Sequence, residues 1–163
     1  MQLYEELAGT QPRPPVRMFF YFGHELPEFN GARYDASYPQ GRVSVRDLAE
    51  GLGNIAGEST KFDLLALATC FGGTPPTIGA LAPHARYIVA SHGNLHLSYF
   101  DLEPLAWLDV GSSEGEIAAF AERFAHNAFE QLVSDVQTAV SVVVYDVDTV
   151  GDFLDSVAGA YHR

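Results

Sequence analysis

Two reactive side chains stand at matching places in this chain. Cys70, the single cysteine, closes the run "LLALATC" ahead of "FGG", and His24 follows the run "VRMFFYF" through Gly23. A thiol attacks carbon as its thiolate, and a neighbouring imidazole can take the proton that makes it one. The Cys70 N–H, close to the start of a following helix, is a candidate donor to a developing oxyanion. Gly72 and Gly73 would let a substrate backbone come near. The residues by themselves leave three readings of Cys70: a small buried side chain, a reactive thiol, or half of an intermolecular bridge. One cysteine excludes an intramolecular disulfide, a Cys-rich zinc site and an iron–sulfur cluster.

Strands must carry these residues. Val16 to Phe22, Phe62 to Thr69, Arg86 to Ser91 and Ala139 to Tyr145 are apolar, β-branched or aromatic runs, continuous rather than alternating. Strands covered on both faces need that pattern, which predicts a mainly parallel sheet. Helical patterns lie between them. Ser44 and Asp47 form a capping-box-like start before Val45, Leu48, Ala49, Leu52 and Ile55, with Gly51 and Gly53 weakening the helix. Ser113 and Glu116 open a longer one, with Ile117, Phe120, Ala121, Phe124, Ala128 and Leu132 on one face. Pro75 and Pro76 suit the first turn of a short helix, and Val150, Phe153, Leu154 and Val157 mark a last one. The expected fold is α/β, with helices on both faces of the sheet. A right-handed crossover would make the first two strands parallel neighbours, with His24 and Cys70 at one C-terminal edge. Two longer irregular segments, Glu25 to Arg42 and Gly93 to Ser112, leave strands at that same edge, where α/β sheets place ligands.

The 163 residues suit one domain. Nine Lys and Arg against 21 Asp and Glu give a formal charge of −12, which disfavours nucleic acid and anionic membranes as partners. No apolar run approaches a membrane span, and "MQLYEELAGTQPRPP" lacks the apolar segment of a secretory signal, so the sequence as written reads as cytoplasmic.

Other chemistries fail on spacing. A cysteine phosphatase needs Arg six residues after its Cys, where Pro76 stands, and the zinc-peptidase pattern suggested by "GHELPEF" has Glu28 in place of the second His. His92 and His96 are four apart near Asp101 and Glu103, but Gly93 and Asn94 point to a loop, so no metal is expected. His92 remains a candidate substrate contact. His84, His126 and His162 are assigned to the surface, Trp107 with Leu105 and Leu108 to a loop anchor in the core, and Asp148 to capping the last helix.

Gly72 lies two residues after Cys70, and His24 lies 70 − 24 = 46 before it, close to the caspase pattern of Cys-x-Gly with a His about 50 residues upstream. In order and spacing, "VRMFFYFGHE", "VSVRDLAEGL", "KFDLLALATC", "ARYIVASHGN" and "AVSVVVYDVDTVGDFL" resemble the caspase-fold cysteine peptidases, most of all the clostripain (C11) family. The resemblance spans roughly Val16 to Val157. It implies peptide-bond hydrolysis without a cofactor: Cys70 as nucleophile, His24 as base, and the N–H groups of Cys70 and Glu25 as the oxyanion site. It also implies substrate contacts at Ala68, Gly72, Ser91 and His92, and a peptide or protein as substrate. The chain departs from the family at Glu25, where Gly usually follows the His, and at Ala68, where an acid receives a basic side chain. Cleavage after Lys or Arg is therefore not implied.

The expected organisation is an N-terminal extension at 1–15 and a single caspase-like domain at 16–163. With only about 15 residues ahead of Val16, the first strand or strands of that fold are expected to be absent. An uncovered sheet edge would invite a second copy or a partner chain. The alternative function is a catalytically inactive caspase-like domain that binds a partner or serves in an assembly.

Overall fold

A computed structural model describes residues 15–28, 41–57, 60–95, 101–109, 111–135 and 140–161. The strands and α-helices of the described residues follow in the order β1 (Met18–Phe22), α1 (Val45–Ala56), β2 (Phe62–Ala68), α2 (Pro75–Leu81), β3 (Ala85–Ala90), α3 (Glu114–Asp135), β4 (Val143–Asp146) and α4 (Val147–Tyr161). The sheet order is β1-β2-β3-β4. The first three strands are parallel and β4 runs antiparallel to β3.

Local sequence accounts for where the helices begin. The Ser44 hydroxyl accepts the Asp47 N–H at 3.2 Å while the Asp47 carboxylate accepts the Ser44 N–H at 2.8 Å, closing the capping box that starts α1. The same reciprocal pair, Ser113 with Glu116, starts α3. Pro75 and Pro76 fill the first turn of α2, where a missing N–H costs no intrahelical bond. The last helix corrects one assignment: the carboxylate of Asp146 accepts the Asp148 N–H at 3.0 Å, so Asp146 caps α4 and Asp148 lies inside its first turn.

Two cores flank the sheet. On one face α1, α2 and α4 bring Leu52, Ile78, Leu81 and Val150 against Leu65, Leu67 and Ile88. On the other, α3 lays Phe120, Phe124, Ala128 and Leu132 against Leu64, Ala66, Ala68 and Val89. β2 and β3 are therefore covered on both sides, as their unbroken apolar runs require. The apolar face expected of α3 is buried throughout. Along α4, Val150 turns inward, but Phe153 is exposed.

Trp107 departs from the expectation of a core anchor. A short 3₁₀ turn at Glu103–Trp107 carries it outward, where it is 49% exposed with the Arg123 guanidinium stacked 5.4 Å from a ring centroid. Indole and guanidinium both keep contact with water in that arrangement. Among the described residues, no helix is long and apolar enough to cross a membrane.

Candidate active site

The pairing of β1 with β2 places the two reactive residues. Met18 stands opposite Leu64 and Phe22 opposite Ala68, an offset of 64 − 18 = 46 throughout. Carried two residues past both strand ends, the same offset falls on His24 and Cys70. The chain follows it at first, since the Gly23 N–H reaches the Ala68 carbonyl at 3.4 Å. The β2–β3 register adds a third participant. Ala66 is level with Val89, an offset of 89 − 66 = 23, which runs on to Cys70 and Gly93. His24, Cys70 and the loop after β3 thus leave one edge of the sheet together. Neither reactive residue belongs to the core: Cys70 is half-buried and His24 is exposed.

The turn after Cys70 is unusual in its backbone. Phe71 has φ of 55°, the one non-glycine residue with positive φ among those described. That conformation costs about 1–2 kcal/mol for a residue with a side chain, so surrounding contacts must hold it. The contacts come from the β3 loop. Phe71 N–H donates to Gly93 O at 3.0 Å and Gly73 N–H to Ser91 O at 2.7 Å. The sulfur itself meets Leu95 twice, accepting its N–H at 3.4 Å and donating to its carbonyl at 3.6 Å. The Tyr145 hydroxyl, arriving from β4, donates to the Gly73 carbonyl at 2.9 Å.

The glycines serve the fold at this turn. A Cβ on Gly72 would stand 3.0 Å from Thr69 Cγ2 and 3.2 Å from Leu67 Cβ. One on Gly73 would stand 2.8 Å from the Tyr145 hydroxyl and 3.0 Å from the Ser91 carbonyl carbon. The close approach these positions permit is therefore made by the protein's own strands.

The Tyr21 hydroxyl donates to the His24 carbonyl at 3.0 Å, with its ring folded over Gly23. Glu25 beside it is exposed, and Leu26 buries its side chain at the edge of the core. The chain then returns to α1, whose first N–H, that of Val45, donates to Pro27 O at 3.0 Å.

The residues expected to contact substrate fall into two groups. His92 is exposed at the shared edge. Ser91 and Ala68 are enclosed, at 0% and 1% exposure. The Ser91 hydroxyl lies 3.2 Å from that of Ser141 and accepts the Gly93 N–H at 3.1 Å, so it shapes the loop that meets Cys70. Ala68 packs with Leu95 and Phe120 in the α3-side core. Its small side chain fits a site where a carboxylate would be buried. His96 lies outside the described residues. Among those described, no group of three or more His, Cys, Asp or Glu could hold a metal ion.

Sequence reasoning missed Leu95, Tyr145 and Tyr21. A tyrosine ending an apolar strand signals a buried ring with a hydroxyl in search of an acceptor. Nothing local identifies Gly73, 72 residues away, as that acceptor.

No protein-family profile and no curated protein matches the sequence. Solved structures do match. An inactive zymogen C11 protease from Parabacteroides distasonis superposes with a TM-score of 0.58 at 18% identity, covering 97% of this chain and 40% of that one. A secreted C11 cysteine protease from Bacteroides thetaiotaomicron, in complex with an irreversible peptide inhibitor, gives 0.59 at 16% identity, over 98% of this chain and 46% of that one. A further structure of a secreted C11 cysteine protease from the same organism, iotapain, gives 0.57 at 13% identity. The chain spans less than half the length of these proteins. It has their caspase-like α/β fold, as the order and spacing of its strands led one to expect.

Proposed function

We propose that this domain is a cysteine peptidase unit in which Cys70 is the nucleophile and His24 the general base. The observation that supports it is the register of β1 on β2, which carries a histidine and the single cysteine to one sheet edge at equal height. The fold it shares with C11 cysteine proteases, one of them bound to a peptide inhibitor, supports a peptide as the substrate class.

The chemistry would run as follows. His24 takes the Cys70 proton, and the thiolate attacks the scissile carbonyl, forming a C–S bond as the carbonyl π electrons move to oxygen. The N–H groups of Cys70 and Glu25, the pair that the resemblance to C11 peptidases implies, hold that oxyanion. Collapse of the intermediate breaks the C–N bond, and the imidazolium returns its proton to the leaving amine. Water, deprotonated by the same imidazole, then attacks the thioester and releases the acid and the thiol. No cofactor enters these steps. Among the substrate contacts, His92 is the one whose side chain stands exposed at this edge. Ser91, Gly72 and Ala68 act by shaping the wall behind the thiol.

The test is covalent labelling. Peptidyl chloromethyl ketones of varied sequence should alkylate the wild-type protein at Cys70 and leave Cys70→Ala unmodified. His24→Ala should lower the labelling rate by about 10²-fold or more at neutral pH, the ordinary scale for loss of a general base. Folded wild-type protein that resists every such peptide would sink this reading and leave the inactive, partner-binding domain.

A further inference from the structure

We infer that Tyr145 is a positioning residue for Cys70: its hydroxyl, delivered by the antiparallel strand β4, fixes the turn that presents the thiol. The inference rests on the reading of Cys70 as nucleophile only for its catalytic consequence. The tether itself is a matter of geometry.

The turn from Cys70 to Gly73 departs from β2 through a left-handed Phe71, a conformation an L-residue leaves unless it is held. Two of its bonds, Phe71 N–H to Gly93 O and Gly73 N–H to Ser91 O, run to the loop directly after β3. That loop is itself irregular over residues 91–95, and it can hold the turn only as well as it is held. Tyr145 reaches the turn from a regular strand instead. Its neighbours in register, Val144 and Val143, pair with Val89 and Ala90 inside the sheet. Its ring packs into the core shared with α1, α2 and α4, so the oxygen has little freedom. At 2.9 Å from the Gly73 carbonyl it gives that end of the turn a second tie, from the sheet rather than from the loop.

Gly73 is built to receive it. Any Cβ there would sit 2.8 Å from the phenol oxygen, so the side chain is missing where the tyrosine arrives. The residues leading into β4 make a second approach through Ser141, whose hydroxyl lies 3.2 Å from that of Ser91 at the base of the loop. Both ends of the clamp around the Cys70 turn therefore lead back to residues 141–145. Burial pushes the Tyr145 phenol above its ordinary value, which keeps the hydroxyl protonated and donating at neutral and mildly alkaline pH. Only Phe71 and Gly72 separate the tethered Gly73 from Cys70. A shift of a few tenths of an ångström at Gly73 therefore passes directly to the sulfur, where attack geometry is demanding.

The experiment compares Tyr145→Phe with wild type in the full chain, using Tyr87→Phe as the control. Tyr87 lies on β3 against the opposite core, away from the turn. Amide hydrogen exchange at Phe71 and Gly73 should quicken about fivefold in Tyr145→Phe, the scale of one lost neutral hydrogen bond, with exchange along α3 unchanged. Chloromethyl ketone labelling should show a maximal inactivation rate lower by a similar factor and a half-saturating concentration within about twofold of wild type. Tyr87→Phe should move neither. Unchanged exchange at Phe71 and Gly73 would overturn the inference, as would a rise shared equally by α3, which would mark general loosening. If wild-type Cys70 is not labelled at all, the peptidase reading falls. Exchange alone then decides the tether.

Discussion

The turns that carry Cys70 and His24 leave adjacent parallel strands at the same height, yet the protein holds them in different ways. The cysteine turn is bound by residues far away in sequence: Gly93, Ser91 and Leu95 from the loop after β3, and Tyr145 from β4. The histidine turn uses a tyrosine three residues back, Tyr21, together with the strand-end bond from Gly23 to Ala68. Both tyrosines donate to a backbone carbonyl, but one tie is local and the other crosses the sheet. On the reading proposed above, the side that presents the nucleophile is tied to the loop after β3 and to β4. On that reading the side that moves a proton carries an exposed imidazole, on a bend that Tyr21 and Gly23 help to fix. Proton transfer tolerates reorientation of an imidazole better than carbonyl attack tolerates a misplaced sulfur.

Substituting the glycines of the two turns tests this difference most severely. Gly73→Ala would drive a methyl against Ser91 C at 3.0 Å and His92 N at 3.1 Å, both backbone, so strand ends must shift. Urea unfolding should show a loss of about 2–3 kcal/mol. For Gly23→Ala the nearest obstacle is the Tyr21 phenol, at 2.7 Å, and that side chain can swing aside at the expense of its bond to His24 O. The loss there should be about 1 kcal/mol. Equal losses at the two sites would erase the contrast.

Phe71 offers a subtler probe. At φ of 55° glycine escapes a penalty that every L-residue meets. Phe71→Gly should therefore be more stable than Phe71→Ala by about 1 kcal/mol, the reverse of the order expected at an ordinary position. The opposite order would mean that the turn is not held left-handed in solution.

The smallest effect concerns acid. Hydrogen bonds from the Ser44 hydroxyl and backbone hold the exposed Asp47 carboxyl below its ordinary value of 3.8. A carboxyl depressed on folding contributes stability that is complete above its unfolded value and is lost as pH falls through the folded one. The window thus lies from about 3.8 downward. The box starts α1, and α1 begins with the Val45 N–H that holds Pro27, just beyond His24. Amide exchange should therefore rise in that window at Val45 before it rises at Phe71 and Gly73. Simultaneous loosening would show that the two turns are not independent.

What could be read from the sequence was what neighbouring residues decide. Both capping boxes, the prolines of α2, the face of α3 and the double-sided burial of β2 are written within a few positions of where they act. The alignment of His24 with Cys70 was visible because two parallel strands convert sequence separation directly into height. What escaped depends on residues brought together from a distance. The resemblance implied a substrate contact at Ser91, whose buried hydroxyl is partnered by Ser141 and Gly93, neither of which is legible nearby in sequence as its cover. Gly72 and Gly73 looked like room for a ligand and are room for Leu67, Thr69 and Tyr145. Trp107 was expected inside on hydrophobicity alone, and Arg123, sixteen positions on, gives it a reason to stay outside.

One consequence follows from where β4 stands in the chain. The three parallel strands and their helices are complete once residue 90 has been made, and they already contain His24 and Cys70. The last tether of the cysteine turn waits for residue 145, more than fifty positions later. Because domains are synthesised from the N-terminus onward, the nascent chain carries its thiol for some seconds with that turn unfinished. On the reading proposed for Cys70, the order of the elements acts as a timer: the sulfur acquires its working geometry only after the strand that closes the sheet has docked.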